Sequence, residues 1–160
     1  MEFDERLERA IGRGERARAA KGRQQADKTL SEEDLKNNHL KARLDLSEHI
    51  EACLRKLADY FPGFRFQTLV GEDGWGAKIS RDDFQGGRRE AENRYSRIEL
   101  VVRPFRSTPI VEVAGKATVR NKEIFHRSHF QFLSDLDLQS FRELIDLWVL
   151  EYAEKFSAEN

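Results

Sequence analysis

Between residues 95 and 120 apolar and charged residues alternate, and the alternation predicts an antiparallel hairpin with one dry face and one charged face. With the turn at Arg106 to Pro109, Arg103 falls opposite Glu112, Glu99 opposite Lys116, Tyr95 opposite Arg120 and Phe105 opposite Ile110. On the reverse face Ile98, Val102 and Pro104 meet Ala117, Val113 and Val111. A slip of one residue would carry the charges into the core, so the pattern selects its own register.

The same reading extends outward in both directions. Phe64–Val70 and Trp75–Arg81 form a hairpin around Asp73 and Gly74, and the polar stretch 82–94, with Gly86 and Gly87 at its middle, is a long loop. Asn121 and Lys122 turn the chain into a fifth strand, 123–133, in a register that pairs Arg120 with Glu123. That register sends Ile124, Phe130 and Phe132 to the dry face, together with His126 and Ser128.

Helical spacing brackets the strands. Ser31 is an N-cap with Asp34 three residues on, and Leu30 and Leu35 occupy the staple positions. From there Leu35, His39, Ala42, Leu46, Ile50, Cys53, Leu57 and Phe61 recur every three or four residues up to Pro62 and Gly63. A matching signal, Leu133, Ser134, Asp137 and Leu138, opens a last helix whose Leu138, Phe141, Ile145, Trp148, Tyr152 and Phe156 line one side. The fold class is α+β: a long N-terminal helix, a five-stranded antiparallel meander and a C-terminal amphipathic helix, both helices packed on one sheet face.

Nearly thirty helical residues span about 40 Å, more than a small sheet covers. The first turns of the long helix, carrying Leu35, His39, Ala42 and Leu46, are therefore expected to seek another surface, either a second copy or the segment before them. That segment, residues 1–30, is expected to be a flexible or partner-docking basic arm, with 31–160 as a single domain. Phe3, Leu7, Ala10 and Ala17 follow helical spacing, with Ile11 as a further candidate, but three glycines each cost a helix about 1 kcal/mol. From Arg9 to Lys28 seven basic residues stand against two acids.

Composition narrows the function classes. The 160 residues are 39% hydrophobic and 36% charged with a formal net charge of -1, which argues against a surface given over wholly to nucleic acid or anionic membrane. One cysteine excludes an internal disulfide, no apolar run reaches the roughly 18 residues of a membrane span, and the first residues lack a secretory apolar stretch, so a cytoplasmic location is expected.

Candidate chemistry is sparse. In the expected register His126 faces Ala117 and Ser128 faces Gly115, a small polar pocket on the dry face suited to a ligand or an acid–base role; the reading preferred over it is that Gly115 and Ala117 admit close approach of the last helix, with His126 bonded to Tyr152 or Glu151 on it. His126 and His129 fall on opposite faces and His39 and His49 lie almost three helical turns apart, so no metal site and no cofactor is expected. Cys53 is assigned to helix packing, and GEDGWG lacks the lysine and following helix of a phosphate cradle.

The expected function is a non-enzymatic protein-interaction module that self-associates through its arm and long helix. Two alternatives accompany it: nucleic-acid binding by Arg9, Arg13, Arg16, Arg88, Arg89, Arg97, Arg103 and Arg127, and a small-ligand pocket or enzyme at His126 and Ser128.

Overall fold

The computed structural model describes residues 2–29, 31–86 and 91–159. The elements run α1 (Phe3–Thr29), α2 (Glu32–Tyr60), β1 (Arg65–Gly71), β2 (Gly74–Gly86), β3 (Ala91–Val102), β4 (Ile110–Val119), β5 (Lys122–Phe132), a 3₁₀ turn (Leu133–Asp135) and α3 (Leu138–Ala158). The five strands form one antiparallel sheet in sequential order, and α2 and α3 lie on the same side of it. α2 covers β1 to β3 and α3 touches β4.

The central hairpin has the register its charges require: Arg97 faces Thr118, Ile98 faces Ala117, Glu99 faces Lys116 and Val102 faces Val113. The Arg103 amide donates to the Glu112 carbonyl at 2.8 Å, which continues the ladder toward the turn. Ile98, Leu100, Val102, Val111 and Val113 are fully buried beneath the helices. β2 and β3 are longer than their apolar patterns suggest, pairing from Trp75 and Val102 out to Gly86 and Ala91. Polar side chains hold this extension: Asp82 accepts from Asn93 at 2.8 Å and from Arg65 at 3.2 Å, and Arg81 donates to Asp83 at 2.8 Å. Most of the expected 82–94 loop is therefore strand.

The β4–β5 register differs from the expectation by one residue. The two-residue turn is Arg120–Asn121, both with positive φ (45° and 70°), and Val119 pairs with Lys122. Such angles suit a hairpin turn whose twist matches its strands. Asn121 secures it from the side, accepting from the Tyr95 amide at 2.9 Å and donating to the Asn93 carbonyl at 2.9 Å. Beyond an irregularity between Ala117 and Thr118, which leaves Ile124 as an extra residue in β5, Phe125 faces Ala117, Arg127 faces Gly115 and His129 faces Val113. Because side chains alternate along a strand, this slip exchanges the two faces of β5.

Phe125, Arg127, His129 and Gln131 therefore meet α3. Phe125 packs on Trp148, Arg127 forms a two-pronged pair with Glu151 (2.8 and 3.2 Å), His129 meets Phe141 edge-on and Gln131 donates to Ser140 at 2.7 Å. Phe130 is half exposed on the other side.

The helix starts divide. Ser31 caps α2 as expected, its hydroxyl accepting from the Asp34 amide at 3.0 Å. At α3, Ser134 lies in the 3₁₀ turn and Asp137 is the cap, accepting from the Ser140 amide at 3.2 Å. Along α2 the buried line is Leu35, His39, Ala42, Leu46, Ile50, Leu54 and Leu57. Leu54 takes the place expected for Cys53, which turns toward α3.

The first turns of α2 do not overhang. Leu35, His39, Ala42 and Leu46 are 7%, 3%, 1% and 0% exposed within a single chain. The β3–β4 connection folds over them, placing Phe105 edge-on to His39 at 5.5 Å, and the 3₁₀ turn closes the end, where Leu133 donates its amide to the Pro109 carbonyl. Apolar burial that the sequence left open is completed by residues some seventy and a hundred positions away. These four expected seam residues are thus covered within one chain, and the overhang that was to bring them to a second copy is absent.

α1 is one continuous helix over the expected arm. Arg23 of this helix pairs with Asp135 at 3.4 Å, and Phe3, Leu7 and Ile11 stand 71%, 46% and 53% exposed.

Candidate functional site in the seam between the two packed helices

α2 and α3 run side by side in the same direction, because an odd number of strands separates them. Their seam is polar at one end and apolar at the other. Asp45 receives Arg142, with Nε to Oδ1 at 3.1 Å; one turn on, His49 Nε2 lies 2.8 Å from Asp146 Oδ1. Cys53, a further turn along α2, places Sγ 3.4 Å from the same Asp146 oxygen and 3.5 Å from His49 Nε2. Three donor atoms of different chemistry thus converge, each from a half-buried residue.

The helical spacing explains the convergence. His49 and Cys53 are four apart on α2 and point the same way, while Asp146 projects from the facing turn of α3. Burial, the hydrogen bond to Asp146 and its negative charge push the Cys53 thiol up to about 12, against a smaller downward pull from Lys56. As it stands the sulfur is a protonated thiol at neutral pH and no nucleophile.

Past Cys53 the seam opens into a groove of about 670 Å³, walled by Leu57, Tyr60, Phe61, Val149, Leu150 and Ala153. Leu150, on the α3 wall of the groove, is 63% exposed. Mostly apolar, with Lys56 and Asp146 as the charged residues of its lining, the groove has the make-up of a docking surface.

On the uncovered side of the sheet, a second concavity of about 650 Å³ is lined by Arg103, Arg106, Thr108, Glu112, Ala114, His126 and Ser128. The expected pocket set is therefore divided: His126 and Ser128 face outward, with Lys116 and Ala114 as their partners, while Gly115 and Ala117 lie under α3. A Cβ on Gly115 would stand 2.7 Å from Leu100 Cδ2 and 3.0 Å from the Trp148 ring, so this glycine admits the helix. The side chain that reaches Glu151 is Arg127.

The nucleic-acid set is likewise dispersed. Arg97 and Arg103 lie on the uncovered face among Glu99 and Glu112, Arg127 is on the opposite face in its pair with Glu151, and Arg9, Arg13 and Arg16 belong to α1. Arg88 and Arg89 lie outside the described residues. No described helix is long and apolar enough to cross a membrane.

The His49–Cys53–Asp146 group is hidden in the sequence because Cys53 also fits the apolar spacing of α2 and Asp146 lies 93 residues beyond it. The i, i+4 spacing of His49 and Cys53 was the available signal; Asp146 became visible only with the helix pairing. No protein-family model, curated protein or solved structure matches the chain.

Proposed function

We propose that this chain is a protein-interaction module that self-associates, with α1 of one copy lying in the α2–α3 groove of another. The observation that carries the reading is the apolar stripe Phe3, Leu7 and Ile11, exposed on a 27-residue helix. At spacings of four the stripe spans about 12 Å along its helix, a length suited to helix-in-groove docking. Charge supports the pairing. Arg6, Arg9 and Arg13 flank the stripe, whereas Asp146 lines the groove and Asp59 and Glu154 are exposed close by on its two helices, three acids against the lining cation Lys56. Burying three such side chains contributes about 1.5–3 kcal/mol each before the cost of association.

Light scattering on the full chain tests it. The expected mass is above the 18.7 kDa of one chain, falling to that value when Leu7 and Ile11 are changed to Glu, and also when Leu150→Glu blocks the groove. Mixing the two variants should restore a two-chain species, since one intact helix then meets one intact groove. A single-chain mass at every concentration, or a larger mass indifferent to both variants, overturns the reading.

A second reading has its own observation. Arg103, Arg106 and His126, with the hydroxyls of Thr108 and Ser128, surround the outward concavity against one carboxylate, Glu112. This composition suits a small oxyanion. Inorganic phosphate should raise the melting temperature of the wild type and not of Arg103→Ala; equal shifts in both would remove this site from consideration.

A further inference from the structure

We infer that His49, Cys53 and Asp146 form a three-ligand site for one divalent transition metal of the zinc and cobalt class. The distances fit tetrahedral coordination. With metal bonds of about 2.0–2.1 Å to nitrogen and oxygen and about 2.3 Å to sulfur, neighbouring ligand atoms should lie about 3.3–3.6 Å apart. Two of the three separations, Cys53 to His49 at 3.5 Å and Cys53 to Asp146 at 3.4 Å, already satisfy this. The third, His49 to Asp146 at 2.8 Å, is a hydrogen bond that must open by about half an ångström as the ion takes the place of the shared proton.

The chemistry is balanced. Binding replaces the Cys53 S–H bond with a sulfur–metal bond and releases that proton to water. His49 enters as neutral imidazole, the proton it shares with Asp146 leaving Nε2 by way of water and the ring keeping a single proton on Nδ1, and Asp146 enters as carboxylate. One thiolate and one carboxylate neutralise a dication, so a half-buried seam acquires no net charge. Thiolate and imidazole together favour zinc or cobalt over magnesium and calcium, which prefer all-oxygen sets. Both α2 ligands share one helix, and Asp146 sits on a helix already fixed to α2 by the Asp45–Arg142 pair, so little is left to order on binding.

Three protein ligands leave a fourth position. Cys53 and Asp146 also wall the apolar groove, so that position borders it and is open to water or a donor atom from whatever occupies the groove. The site is complete within one chain and stands independently of self-association.

Cobalt titration of the chelator-treated full chain tests the inference. One equivalent should bring up a thiolate-to-cobalt charge-transfer band together with the intense visible bands of tetrahedral cobalt, and zinc should bleach both. Cys53→Ser should abolish the charge-transfer band, and His49→Gln and Asp146→Asn should each weaken binding by at least about tenfold. Glu48→Gln, next to His49 in the chain but exposed and outside the ligand set, should leave the spectrum unchanged. Far-ultraviolet circular dichroism establishes that each variant is folded. Absence of the band in the wild type overturns the site on its own, as does a band that survives Cys53→Ser. Saturation at half an equivalent overturns a site built within one chain and indicates an ion bridging two.

Discussion

Adding a single methyl group at Gly115 should loosen α3 from the sheet. A Cβ there would lie 2.7 Å from Leu100 Cδ2 and 3.0 and 3.1 Å from two atoms of the Trp148 ring. Ordinary carbon contacts are about 3.5–4.0 Å, so three atoms are about 0.5–1 Å too close. Leu100 is 0% exposed and Trp148 is 5% exposed, which leaves neither much room to move aside. Overpacking of this kind costs about 1–3 kcal/mol, and relief of glycine's backbone freedom in a strand returns about 0.5–1 kcal/mol. Gly115→Ala should therefore lose about 1 kcal/mol and Gly115→Val more. Gly71→Ala is the control, since a Cβ there meets nothing within 4 Å, and it should be neutral or gain about 0.5 kcal/mol. Urea denaturation at unchanged m-value reads both. Leu100→Val, which trims the side chain in the way, should cost less beside Gly115→Ala than alone. A Gly115→Ala midpoint at or above wild type, with Gly71→Ala behaving as stated, would refute the close-packing account.

Acid should weaken the protein through His39. Burial, aided by Arg43 and opposed by a hydrogen bond to the Arg103 backbone, holds its imidazole below the ordinary 6.5, so the folded state prefers it neutral. Its contribution is complete above pH 6.5 and is lost as pH falls below that value, at up to about 1.4 kcal/mol per pH unit. His39→Gln should flatten stability between pH 7 and 5, and identical slopes for variant and wild type would contradict this. Asn121→Ala removes two hydrogen bonds at a positive-φ turn position and should cost about 2–4 kcal/mol by thermal unfolding. Asn121→Gly, which keeps the angle accessible, should cost less; equal losses would show that the angle carries none of it. Tyr152→Phe deletes the hydroxyl that donates to the Thr118 carbonyl at 2.8 Å and should cost about 1 kcal/mol in urea, with no measurable loss counting against the bond.

What the sequence made legible was set by how local the deciding interaction is. The β3–β4 register was readable because two opposed charge pairs and an alternating apolar set agree on a single alignment, and the observed ladder is that alignment. The next hairpin was misplaced by one residue because Asn121 suits either central position of a tight turn and an arginine at positive φ has no local signature. Ile124, the extra residue in β5, further uncouples the strand from its turn. The small error had a large consequence, moving His126 and Ser128 to the outside and bringing Arg127 to Glu151.

Long-range closure was beyond the pattern altogether. The apolar line from Leu35 to Leu46 was correctly identified as needing cover, yet nothing local announces that Phe105 and the turn at Leu133 supply it. Cys53 was placed one helical position too deep, since Leu54 beside it satisfies the same spacing. Its real neighbours, His49 and Asp146, come together only once two helices separated by five strands lie alongside each other.

That side-by-side course also has an electrical consequence. Two helices pointing the same way add their backbone dipoles instead of cancelling them, so the ends near Phe61 and Phe156 form one region of negative potential. Arg81 and Arg120 stand over the Phe156 ring at 5.5 and 4.6 Å, and Arg81 also donates to the Pro62 carbonyl just beyond α2. Two guanidinium groups thus stand at this end of the helix pair, Arg120 over the Phe156 ring of α3 and Arg81, itself paired with Asp83, reaching both that ring and the backbone just beyond α2.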